Sequence, residues 1–95
     1  MDAFIGRIVR SAAGHDSGQL YCVVGLDEER ERLLLANGKQ RKASAPKAKK
    51  LKHVQILDQG TFEHPVIGKL KEGSPVSDRA MRAALAAFKE GITLG

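Results

Sequence analysis

Seven cationic side chains crowd one short stretch of this chain: Lys39, Arg41, Lys42, Lys47, Lys49, Lys50 and Lys52, with no acid among them. Lysine and arginine at this density neutralise phosphates and release condensed counterions, so the chemistry on offer is electrostatic binding of a polyanion, most commonly nucleic acid. The net charge of the chain is +5. Outside residues 39–52, nine bases face 11 acids, so the whole positive excess belongs to this stretch. Arg7 and Arg10 are further cations, and His53 a further polar side chain, that could join such a surface.

The second constellation is the loop Gly14-His15-Asp16-Ser17-Gly18. Its two glycines can each take positive φ, and Asp16 and Ser17 can hydrogen-bond nearby backbone amides. Catalytic chemistry is not suggested. The G-x-S-x-G elbow around Ser17 is absent, as is a phosphate-binding G-x-x-x-x-G-K-[ST] loop. His15, His53 and His64 lack the spacing of paired metal ligands, and the single Cys22 forms neither an internal disulfide nor a cysteine-based zinc site. No catalytic residue, metal or cofactor is expected.

Strands must hold most of these residues. The 95 residues suit one domain with a modest core, and 42% apolar with 28% charged residues reads as a soluble globular chain. Residues 4–10 and 20–26 are rich in Ile, Val and Leu and predict two strands; Gly6 marks a bulge or a close backbone approach. The second run is apolar without strict alternation, so its inward face is not readable. A polar turn leads to a third strand over 32–36, and Asn37-Gly38 predicts a type I′ hairpin turn with a return strand over 39–43. Pro46 ends that strand, a basic loop runs to Lys52, and residues 53–57 form a fifth strand. Five short strands joined by tight turns argue for a small barrel or sandwich.

Residues 58–76 are punctuated by Gly60, Pro65, Gly68, Gly73 and Pro75, with one short strand expected over 66–70. A helix over 77–90 follows from Ser77 as N-cap, Asp78 in the first turn, an alanine-rich body and Gly91 as a stop. Met81, Leu85 and Phe88 share one apolar stripe, which should pack on the strands. The division expected is 1–57 for the β core and 58–95 for a C-terminal extension of the same structural domain. The start Met1-Asp2-Ala3-Phe4 has no signal core, no run reaches the ~20 apolar residues of a membrane span, and a lone cysteine fits a reducing compartment, so a cytoplasmic location is expected.

The stretch Gly6-Arg7-Ile8-Val9-Arg10-Ser11-Ala12-Ala13-Gly14-His15-Asp16-Ser17-Gly18, with the apolar run after it, resembles the KOW motif. Gly14 and Gly18 stand where that motif has its two loop glycines. The resemblance runs from Gly6 to about Gln55, through Asn37-Gly38-Lys39 and the basic tail ending Lys49-Lys50-Leu51-Lys52-His53. It is similar to the KOW-type large-subunit ribosomal proteins of archaea and eukaryotes and to small bacterial KOW RNA-binding proteins. Ser17 departs from the pattern, since many KOW motifs carry lysine before the second glycine.

The resemblance implies a mainly β fold with a small SH3-like five-stranded barrel; together with the helix and the lack of catalytic groups read from the residues, the expectation is such a barrel with a C-terminal α-helix, non-catalytic and monomeric. Its partner would be structured RNA, in particular large-subunit ribosomal RNA, in association with translation. Lys39, Arg41, Lys42, Lys47, Lys49, Lys50 and Lys52 would meet phosphates, with Arg7, Arg10 and His53 in support. Gly14 and Gly18 would shape the loop, and Asp16 would brace it. Only Phe4, Tyr21, Phe62 and Phe88 could stack on bases, and most of them suit the core, so reading of single strands on an aromatic platform is disfavoured. The alternative is a protein-interaction module that contacts ribosomal proteins or RNA polymerase through the barrel edge and the C-terminal helix, with the acidic turn Asp27-Glu28-Glu29 suited to a basic partner.

Overall fold

In the computed structural model, which describes residues 2–58 and 60–94, the apolar runs pair into a single antiparallel sheet. Its strands are Ile8–Ser11 (β1), Leu20–Asp27 (β2), Arg32–Ala36 (β3), Lys47–Lys50 (β4) and Val54–Ile56 (β5), in the order β4-β3-β2-β1-β5. The first four form a meander, and β5 returns to the open side of β1, with Val9 opposite Ile56. A single turn of 3-10 helix, Leu51–His53, joins β4 to β5. Two helices complete the chain, Pro65–Glu72 (α1) and Asp78–Leu94 (α2). The expected mainly β, five-stranded architecture with a C-terminal helix is present. Among the described residues no ladder joins β4 to β5, so hydrogen bonding leaves the sheet open rather than closed.

Both faces of the sheet are covered, which explains why β2 shows no simple alternation. Val9, Tyr21, Val23, Leu33 and Leu35 form one buried cluster, flanked by Phe4, Leu26, Val54 and Ile56. Ile8 and Cys22 point the other way, into a cluster with Val66 and Ile67 of α1 and Met81, Ala84, Leu85 and Phe88 of α2. The register of β2 on β3 slips between Val23 and Gly25, a bulge at Val24. One extra residue reverses the parity of every side chain after it. Leu26 therefore joins Tyr21 and Val23 on one face, while Val24 packs with Cys22 on the other. The stripe Met81, Leu85 and Phe88 lies against the sheet as its spacing predicts.

Several expectations need correction. The first strand starts only at Ile8, because Asp2–Phe4 is a turn of 3-10 helix and Gly6 takes φ 88°. Gly6 marks a close approach: a Cβ there would lie 3.0 Å from Ile67 Cγ2 of α1. Residues 39–43 are not a return strand; the strand is β4, four residues further on. Residues 66–70 are helical, since Pro65 sits in the first turn, His64 Nδ1 accepts from the Val66 amide at 3.2 Å, and Gly73 closes the helix at φ 78°. Helix α2 passes through Gly91 to Leu94, because a glycine stops a helix only when it turns left-handed. No helix among the described residues is long and apolar enough to cross a membrane.

Candidate nucleic-acid interface

Strand parity divides the basic stretch. In β4, Lys47 and Lys49 share one face and Ala48 and Lys50 the other, as a period of two demands. The first face looks onto the loop of residues 12–19, where Asp16 waits. Lys49 Nζ donates to Asp16 Oδ1 at 2.6 Å, to Ser11 Oγ at 2.6 Å and to the Ala13 carbonyl at 2.7 Å, which uses all three ammonium protons. Lys47 Nζ donates to Asp16 Oδ2 at 3.0 Å. Ser11 Oγ and Tyr21 Oη also donate to the carboxylate, at 2.8 and 3.0 Å. Asp16 and Lys49 are each only 8% exposed.

These contacts set the charge state of the cluster. Burial alone would raise the Asp16 carboxyl, but hydrogen bonds from Lys49, Lys47, Ser11 and Tyr21 outweigh it and hold the group well below the usual carboxylate range. Burial raises the Tyr21 phenol, the hydrogen bond to Asp16 and its negative charge add to this, and Arg41 opposes them; the result is about 12. Burial, then the charge of Asp58, pushes the Cys22 thiol up to about 12, so it stays protonated and inert.

The loop itself closes tightly. Gly14 and Gly18 take φ 88° and 92°, as their residue type allows, and the Gly18 amide donates to the Ser11 carbonyl at 2.8 Å. A buried ion pair thus pins this loop to β4.

The loop of residues 37–46 is built differently. Asn37-Gly38 does not form the type I′ turn, because among the described residues only Gly38 of the pair has positive φ, at 77°. Asn37 instead organises the loop through its side chain. Its Oδ1 accepts from the amides of Lys39 and Arg41 at 3.0 and 3.1 Å, and its Nδ2 donates to Gln40 Oε1 at 2.9 Å. The start of α2 holds the outside of the loop: Asp78 Oδ1 accepts from the Ala43 amide at 2.8 Å, and Arg82 Nη1 donates to the Gly38 carbonyl at 2.6 Å. The backbone is fixed, yet the side chains of Lys39, Arg41 and Lys42 are exposed.

The remaining candidates are spread out. Lys50 and Lys52 are exposed, on the outer face of β4 and in the 3-10 turn, and Arg10 is exposed on β1. Among the described residues none of Lys39, Arg41, Lys42, Lys50, Lys52 and Arg10 is in an ion pair. His53 is half-buried, and its carbonyl accepts from the Ala12 amide at 2.8 Å. Arg7 is apart from the loops: its Nη1 donates to the Asp58 carbonyl at 3.1 Å, beside Gly60. Arg82 was not among the candidates, although its place beside the apolar stripe of α2 is readable from helical spacing. Among the described residues no group of three His, Cys, Asp or Glu side chains gathers as a metal site. No family model matches the chain, and no curated protein matches it closely enough to count.

Proposed function

We propose that this chain is a non-catalytic, cytoplasmic module that binds structured RNA, and ribosomal RNA in particular, through its phosphates. One observation carries the reading: Lys39, Arg41 and Lys42 stand exposed on a loop whose backbone is fixed by Asn37 and α2. With the loop backbone already ordered, binding has only the side chains left to immobilise, so more of their attraction to phosphate appears as affinity. A-form RNA hides its base edges in a deep groove, so a surface of lysines and few exposed aromatics suits recognition of shape and backbone. Lys50, Lys52 and Arg10 add exposed positive charge elsewhere on the chain, and Lys47, with 28% of its side chain exposed, lies on the strand that follows the loop. Lys49 is outside this surface and serves the fold. The resemblance to KOW proteins narrows the RNA class, and the return of β5 to β1 after a 3-10 turn supports reading the sheet as a curled SH3-like barrel.

The test is binding of a folded ribosomal-RNA hairpin as salt is varied. Replacing Lys39, Arg41 and Lys42 together by alanine should weaken binding and lower the salt slope by up to about 0.7–0.9 for each phosphate that is no longer neutralised. An unchanged slope would remove the loop from the interface. Ultraviolet crosslinking in the native cells would then name the RNA.

A further inference from the structure

Beside the loop lies a cleft of about 380 Å³ that the basic stretch alone does not reveal. Its walls come from the end of the 12–19 loop, the start of the 37–46 loop and the flank of α2. Lys39, Arg82 and Lys89 line it together with the side-chain amides of Gln19 and Gln40, and among the described residues no carboxylate does. Arg82, Ala86 and Lys89 sit at i, i+4 and i+7 on α2, so they share one face of the helix, next to the buried stripe of Met81, Leu85 and Phe88. Ala86, with only a methyl group, stands between Arg82 and Lys89 along the helix.

We infer that this cleft is a second phosphate-binding subsite, through which the RNA backbone continues from the loop onto α2. The inference rests on the RNA-binding reading above. Charge selects the ligand: Lys39 and Arg82, with two side-chain amides, offer hydrogen-bond donors along walls that among the described residues carry no acid, the complement of a phosphodiester. Continuity selects a polymer over a small anion. Lys39 belongs both to the exposed loop and to the cleft wall, so one strand can touch Lys42, Lys39 and the helix in turn. The consequence is that α2 is part of the binding surface as well as of the core.

Ala86→Glu tests this, since position 86 is exposed and glutamate is a good helix former, so the fold is kept while a carboxylate enters the cleft. Lys42→Ala, which does not line the cleft, reports on the loop in parallel. With a folded ribosomal-RNA hairpin as probe, Ala86→Glu should weaken binding about tenfold or more. Wild-type binding that falls with Lys42→Ala but not with Ala86→Glu would overturn the cleft and leave the loop standing. No salt-dependent binding by the wild type would overturn both. Titration with inorganic phosphate separates the sources: saturable binding of phosphate alone in the cleft, with RNA affinity unmoved by Ala86→Glu, would make it a small-anion site and overturn the proposal.

Discussion

Lys42 and Lys49 stand in the same acid-free stretch, yet one ends in solvent and the other inside the protein. The loop that carries Lys42 has its backbone held by an asparagine side chain and by α2, and its three cations are exposed and in no ion pair among the described residues. The strand that carries Lys49 sends that one charge to a buried carboxylate, while its neighbour Lys50 stays exposed. The difference shows that a count of lysines measures the field around a chain but does not locate a site. Strand parity and one acid, Asp16, turn two of the seven cations into anchors of the neighbouring loop.

Asp16 is where the two regions differ most in energy. Asp16→Ala leaves Lys49 buried without its counter-charge, and urea unfolding should show a loss of about 3–5 kcal/mol. Lys42→Met should change stability by no more than about 0.5 kcal/mol. Equal, small losses for the two variants would mean that the cluster anchors nothing.

The glycines of the two loops sharpen the difference further. Gly18 has φ 92° and open space where a Cβ would stand, so Gly18→Ala should lose about 1–2 kcal/mol from backbone conformation alone. At Gly38 the Cβ would also collide with the Asp78 carbonyl oxygen and the Arg82 side chain, so Gly38→Ala should lose more and loosen the loop. Thermal unfolding of the two variants ranks them, and a milder Gly38→Ala would contradict the packing of α2 on the loop.

The smallest effect is read by pH. Tyr21 is the one tyrosine of the chain, and no tryptophan obscures its ultraviolet absorbance. Its phenol should ionise near 12 rather than 10.0. A folded value raised above the unfolded one stabilises the fold below pH 10 and loses that contribution as pH rises towards 12. Asp16 has the opposite sign: its depressed carboxyl contributes above the ordinary carboxylate range, and the contribution is lost as pH falls below it. In Asp16→Asn the Tyr21 midpoint should move back towards its ordinary value, and an unmoved midpoint would show that burial alone raises it.

What could be read from the residues was what depends on neighbours along the chain. β3 and the packed stripe of α2 came from local apolar pattern, and positive φ at Gly14 and Gly18 from residue type. β4 was hidden because its inward residues are lysines, and a strand of lysines looks like a loop until its acid, 31 and 33 residues away, is in place. α1 was hidden because Gly68 and two flanking prolines mask a helix whose ends are set by His64 and Gly73. The cleft depends on Arg82 meeting Gly38 across 44 residues, which no short window contains.

That long reach has a consequence for how the chain comes into being. The loop of residues 37–46 leaves the ribosome well before Asp78 and Arg82, which grip it from outside. At ordinary rates of synthesis the lag is about two to eight seconds. During that time the growing chain carries its cations on a slack tether, and the loop sets only when the last helix arrives to hold it.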